Sequence, residues 1–193
     1  MSDNDPVSTE GTTPTPEPPP RRLGLFAGLA VVVLGLDIVT KLWAVATLEG
    51  QEPIRLFGGA LYLVLVRNPG AAWSIGADYT WLLSLIMAAV AAAILFFAPR
   101  LRSGGWAAGL GLVLAGALGN LGDRLFRPPG FLHGHVVDFL SLFAPDGSVW
   151  PVFNVADSAI CVGGALIVLM ALLGREYDGT LIEKKSSKKG TSS

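Results

Sequence analysis

Four long apolar stretches decide what this chain can become. Residues 23–45 are broken only by Asp37, Thr40 and Lys41, and residues 79–98 carry no charge. Residues 106–125 stay apolar until Asn120, Asp123 and Arg124, and residues 152–173 hold Asn154 and Asp157 near their start. Each stretch has about the 20 residues needed to cross a hydrocarbon core of about 30 Å. Helices buried in a soluble protein are the competing reading, but those are shorter and show a polar face. The bulk composition agrees: 51% of the residues are hydrophobic and 15% are charged, against about 25% charged in ordinary soluble domains. The expected fold class is therefore an all-α membrane protein of four transmembrane helices.

Charge distribution orients the four spans. Arg21 and Arg22 precede the first, Arg100 and Arg102 separate the second and third, and Arg175, Lys184, Lys185, Lys188 and Lys189 follow the fourth. Basic segments stay on the cytoplasmic side, so both termini are expected there. Residues 47–78 and 126–151, whose basic residues are chiefly Arg55, Arg67 and Arg127, then face outward. Such a chain belongs in a membrane, in contact with its lipids. Residues 1–21 are rich in Pro and Thr and read as a disordered tail. Residues 22–175 form the membrane domain, and 176–193 a lysine-rich tail able to meet anionic headgroups. The first apolar run is too long for the core of a cleaved signal peptide and lacks a clear cleavage site. The lone Cys161 builds no disulfide framework and is expected as a small core residue.

Between the first two spans the period changes. Leu61, Leu63 and Leu65 alternate with Tyr62, Val64 and Val66 behind a Gly58–Gly59 turn, and residues 53–57 precede it. This predicts a small β-hairpin, or cradle, on the outer face of the membrane. Pro69–Gly70 in the following loop predicts a turn with positive φ at Gly70. In the third span Gly105 and Gly109, and Ala115 and Gly119, recur at four-residue spacing, which lets helix backbones approach closely.

Polar residues inside spans are costly, about 2.5–3.5 kcal/mol for a central charge, so their depth is informative. Asp37 and Lys41 approach the outer end of span one, Asn68 lies in the loop before span two, and Asn120, Asp123 and Arg124 end span three. Asp138 sits in the last outer connection, and Asn154 and Asp157 open span four. All fall in one layer just inside the outer interface. Asp37 and Lys41 (i, i+4) share a helix face, as do Asn154 and Asp157 (i, i+3). Asp37–Lys41 and Asp123–Arg124 read as clamps in which opposite charges neutralise one another. Asp138 and Asp157 have no Lys or Arg within four positions. Two carboxylates close together hold one proton between them; the ionised one can deprotonate water while the other donates to a carbonyl. Other chemistries lack their parts. There is no HExxH or GxSxG motif, His133 and His135 have no evident third metal ligand, and Lys41 has no obvious serine partner. A small proton-coupled transporter or channel remains the alternative, although its polar residues should continue across the bilayer. A purely structural subunit would leave the aspartate pair unexplained.

The stretches Asp37-Ile-Val-Thr-Lys41, Asn68-Pro-Gly-Ala-Ala-Trp-Ser74, Gly119-Asn-Leu-Gly-Asp-Arg124, Gly134-His-Val-Val-Asp-Phe139 and Phe153-Asn-Val-Ala-Asp-Ser158 occur in this order. In them the chain resembles bacterial lipoprotein signal peptidase (signal peptidase II) over residues 23–174. The resemblance implies an aspartic endopeptidase with Asp138 and Asp157 as the catalytic pair. Its substrates would be prolipoproteins carrying diacylglycerol on a cysteine, cut just before that cysteine to release the signal peptide. It further implies that Asn68, Gly70, Asn120, Arg124 and Asn154 line the site, that Asp37, Lys41, Asp123 and Ala156 support it, and that globomycin inhibits it. A monomer with no metal, no cofactor and no nucleic-acid partner is expected. The two tails lie outside the resemblance.

Overall fold

The computed structural model describes residues 19–70 and 79–181. The expectations for residues 1–18 and 182–193 of the two tails, and for residues 71–74, fall outside the described residues. The order of elements is α1 (Leu23–Leu48), β1 (Ile54–Leu56), β2 (Leu61–Asn68), α2 (Thr80–Phe97), α3 (Gly104–Phe126), β3 (Val136–Leu142) and α4 (Val155–Leu172). Among the described residues four helices are long and apolar enough to cross a membrane, and their outward faces carry exposed residues such as Val31, Val39, Leu85, Phe96 and Val168. In water such surfaces would aggregate; in hydrocarbon they need no cover.

Helix α3 is the hub, packed against α1, α2 and α4. Its small residues explain why. A Cβ on Gly111 would stand 2.8 Å from the Phe26 carbonyl of α1, and one on Gly109 would stand 3.0 Å from the Gly163 carbonyl of α4. Gly105, Gly109 and Gly119 thus do what their spacing predicts, and Gly111, Gly116 and Gly163 join them. Cys161 is exposed on α4 rather than in the core; its side chain points to the lipid side because the small residues Ala156, Ala159 and Gly163 take the packed face.

The sheet differs from the expected hairpin by one strand. β1 pairs antiparallel with β2 (Ile54 opposite Leu63, Leu56 opposite Leu61), as the alternating run predicts. β2 then pairs with β3, Leu61 opposite Leu142 and Asn68 opposite Val136, across an irregularity between Leu63 and Val66. Val136–Leu142 has no polar–apolar alternation because both of its faces are covered, so its sequence reads as part of a loop. Ala44 and Leu48 of α1 pack against Val137, Phe139, Leu63 and Leu65. The ring of Trp43 meets Phe139 edge-on at 6.5 Å. The sheet therefore lies alongside the last turns of α1, at one end of the bundle. At the other end Arg22 N–H donates to the Leu101 carbonyl (2.8 Å) and Arg102 N–H to the Tyr177 carbonyl (2.9 Å), which gathers the entry to α1, the α2–α3 turn and the exit from α4.

Candidate active site

The site is built around the first turn of α4. Asn154 is the N-cap: its side-chain oxygen accepts from the Asp157 N–H (2.9 Å), and the Asp157 carboxylate accepts in return from the Asn154 N–H (3.2 Å). This reciprocal box satisfies two orphan donors of the helix end and fixes Asp157 at the third helical position. The cap residue also turns its side-chain N–H2 toward β3, donating to Asp138 Oδ1 at 2.7 Å. One asparagine thus ties the two carboxylates together.

Each carboxylate has a further amide donor. Asn68, at the end of β2, donates through Nδ2 to Asp138 Oδ2 at 2.8 Å. Its own Oδ1 accepts from Gly70 N–H at 2.8 Å, which leaves the nitrogen facing Asp138. That turn needs glycine: Gly70 has φ 109°, and a Cβ there would stand 2.6 Å from Leu83 Cδ1. Asn120 donates through Nδ2 to Asp157 Oδ1 at 2.7 Å. Its carbonyl oxygen is held by Lys41 Nζ at 2.9 Å. An ammonium only donates, so Lys41 dictates which way round the Asn120 amide stands.

Behind this layer lies a buried ion cluster. Lys41 is 1% exposed and reaches Asp37 Oδ2 at 2.9 Å and Asp123 Oδ2 at 3.0 Å besides Asn120. The Asp37 contact is an ion pair outside hydrogen-bond geometry. Asp37 Oδ1 accepts from Ala156 N–H at 2.9 Å, joining α1 to the start of α4, and Gly119 leaves room for that carboxylate. The Asp37–Lys41 clamp stands as expected. Asp123 does not clamp Arg124: it pairs with Lys41 and Arg127 and accepts from Val137 N–H at 3.1 Å. Consecutive helix residues point about 100° apart, so Arg127, one turn on, is the better placed partner. Arg124 instead turns toward the site. It is buried, its Nε has no hydrogen-bond partner, and Nη1 makes a long contact to the Pro69 carbonyl at 3.4 Å. Asp138 and Asp157 are both within its electrostatic reach.

All the residues singled out above therefore converge: Asp138, Asp157, Asn68, Gly70, Asn120, Arg124 and Asn154 in the layer itself, and Asp37, Lys41, Asp123 and Ala156 directly behind it. Among the described residues Lys41 meets Asp37, Asp123 and Asn120, and no serine hydroxyl stands against it as a Ser–Lys dyad would need. Two residues were missed. Thr80 donates to the Pro69 carbonyl at 2.6 Å and Ser84 to the Leu132 carbonyl at 2.8 Å, so one face of α2 fastens both loops that flank the site. Their i, i+4 spacing in an uncharged span was the available signal.

Asp138 is 1% exposed. Burial, and then the charge of Asp157, push its carboxyl from the usual carboxylate range up to about 7, against the opposing hydrogen bonds from Asn68 and Asn154. A cleft of about 260 Å³ opens beside it, between the end of β2 and residues 146–152. A larger groove of about 600 Å³ between α1 and α3 reaches Asp37 and Lys41 from the lipid side, away from both Asp138 and Asp157.

Comparison with known proteins places this arrangement. The family model described as signal peptidase (SPase) II matches residues 29–173. A lipoprotein signal peptidase of Mycobacterium avium (strain 104) is 46% identical over 181 residues, covering 94% of this chain and 97% of its own. One from Rhodococcus jostii (strain RHA1) is 50% identical over 179 residues, covering 93% and 86%. A solved structure described as a bacterial membrane enzyme superposes with a TM-score of 0.67 at 28% identity, covering 81% of this chain and 98% of its own. With the family match spanning most of the chain and the relatives nearly all of it, the chain belongs to the signal peptidase II family, a family of membrane peptidases.

Proposed function

We propose that this protein is an aspartic endopeptidase that removes the signal peptide from diacylglyceryl-modified prolipoproteins, with Asp138 and Asp157 as the catalytic pair. One observation carries the reading: two carboxyls from different segments share one asparagine, Asn154, and each takes a second amide donor of its own. Asp138, with its carboxyl raised to about 7, holds the shared proton, and Asp157 is the base. Asp157 takes a proton from water as the water oxygen attacks the scissile carbonyl carbon. Asp138 gives its proton to the carbonyl oxygen, and a tetrahedral diol forms. Collapse of the diol returns that proton to Asp138, while the proton on Asp157 passes to the leaving nitrogen as the C–N bond breaks. Asn68 and Asn120 keep the two carboxyls in place, and Arg124 is free to bind substrate backbone.

The orientation follows from charge. The end of the bundle that gathers Arg22, Arg102 and Arg175 faces the cytoplasm by the positive-inside rule; the sheet and site then face the outside of the bacterial inner membrane. There a lipid on the substrate cysteine stays in hydrocarbon and fixes the height of the scissile bond, each buried methylene contributing about 0.8 kcal/mol to the anchoring. The diacylglyceryl precursor is expected to be cut far faster than the unmodified one at equal density in the same bilayer, measured by release of signal peptide. Equal rates would leave a general membrane peptidase as the better description.

The raised Asp138 carboxyl also predicts a pH profile. Below about pH 7 Asp138 keeps the proton it must donate; above that the proton is lost. The rate at low substrate, kcat/KM, which reports the free enzyme, should therefore fall on an alkaline limb with its midpoint near 7, approaching about tenfold per pH unit. A rate that holds level for roughly two pH units above that midpoint would remove Asp138 as the acid.

A further inference from the structure

The far end of the sheet carries backbone strain that burial of its side chains does not explain. Phe57 and Phe143 have φ of 48° and 64°, the left-handed region where a bulky side chain is a true outlier and glycine is the usual occupant. Strain of this kind persists where it serves a purpose. Packing is not that purpose, because Phe57 is 81% exposed and Phe143 63%. The two belong to one tip. Phe143 N–H donates to the Ala60 carbonyl (3.2 Å), Ala60 N–H donates to the Phe57 carbonyl (3.3 Å), and Leu61 pairs with Leu142.

The level of this tip is set by α1. Trp43, Ala44 and Leu48, in the last turns of a membrane-spanning helix, pack on Phe139, Val137, Leu63 and Leu65. The sheet thus lies beside the end of α1 rather than above it. Phe143 directly follows β3, five residues from Asp138, roughly 17 Å at strand spacing, so the tip lies well away from that carboxyl on a sheet packed against the last turns of α1. Arg55 belongs to the same turn: its Nη2 donates to the Gly58 carbonyl at 2.6 Å, a charge suited to the headgroup level.

We propose that Phe57 and Phe143 form a membrane anchor, inserted at the headgroup–acyl boundary of the leaflet beside α1, where exposed aromatic side chains gain burial. The bilayer supplies the partner that the described chain lacks. Because β3 runs from this tip to Asp138, the anchor also fixes the height of that carboxyl relative to the lipid. Nothing in this depends on the peptidase chemistry.

The test is depth-dependent quenching. A single cysteine replaces Phe57 or Phe143 in a Cys161→Ala background, carries an environment-sensitive fluorophore, and is reconstituted in phosphatidylethanolamine–phosphatidylglycerol vesicles. Glu52, exposed in the α1–β1 connection, serves as the aqueous reference. Both tip labels are expected to emit at shorter wavelength than the Glu52 label, to be quenched severalfold more strongly by lipids with a nitroxide near the headgroup, and to resist iodide. The proposal stands only if both behave so. A tip label quenched by iodide like the Glu52 reference would overturn it, and the cysteine variants sit on exposed side chains, so the folded, inserted protein is what reports.

Discussion

Replacing either Asp138 or Asp157 by Asn should abolish cleavage while the protein still inserts and folds. Asparagine keeps the shape of each side chain and removes the ionisable oxygen. At Asp138 the two partners are amide N–H2 groups from Asn68 and Asn154. An asparagine introduced at position 138 can accept from only one of them, so the local packing survives with one hydrogen bond lost. At position 157 the backbone N–H of Asn154 and the amide of Asn120 face the same loss. Fold should therefore be retained at modest cost, about 1–3 kcal/mol for a buried group left unpaired. Chemistry should not be. With one carboxyl the pair can no longer both take and give a proton, and losses of at least about a thousandfold are the scale for removing a group that acts as part of a unit. The measurement is the single-turnover rate in vesicles, with thermal unfolding as the fold control. A folded variant of either kind that keeps the parent rate would remove the pair from the mechanism.

Lys41→Met should destabilise the fold more than either change in the pair. Lys41 is 1% exposed and is the cation between Asp37 and Asp123. Methionine fits the volume and supplies no charge. Asp123 keeps Arg127; Asp37 keeps only the Ala156 N–H. Breaking a buried pair by removing one partner costs about 3–5 kcal/mol, which lowers the Tm of a chain this size by roughly 10 °C. Asp37→Asn added to Lys41→Met should recover part of that loss, because the stranded charge is gone. A Tm for Lys41→Met within roughly 2 °C of the parent, a shift worth less than about 1 kcal/mol, would show that the cluster is not holding the fold.

The same cluster shows where the sequence stops being informative. The four spans follow from composition, because a bilayer rewards nothing but length and apolarity. Their ends are less legible. α4 begins at Val155 rather than 152 because Phe153 bridges to Leu140 and Asn154 is the cap. The convergence of Asp138, Asp157, Asn68, Asn120 and Asn154 is legible as a shared depth. How the amides stand is not: the orientation of Asn120 depends on Lys41, 79 positions away, and that of Asn68 on a turn at Gly70. The third strand hid because burial on both faces erased its alternation. The pairing of Asp123 went to Arg127 rather than Arg124 for a reason the sequence did contain, the angular spacing of a helix. Thr80 and Ser84 were readable too, as two hydroxyls one turn apart in an otherwise apolar span.

What most directly tests two aspartates activating a water is the fate of the new carboxyl terminus. Purified protein in vesicles is given a diacylglyceryl-modified precursor in the presence of hydroxylamine, and both fragments are weighed by mass spectrometry. Attack by water, without a covalent enzyme intermediate, predicts a signal peptide ending in a free carboxylate and a second fragment beginning at the lipidated cysteine. A signal peptide carrying hydroxamate would reveal an acyl-enzyme and contradict the account, as would a precursor left uncut or cut at any other bond.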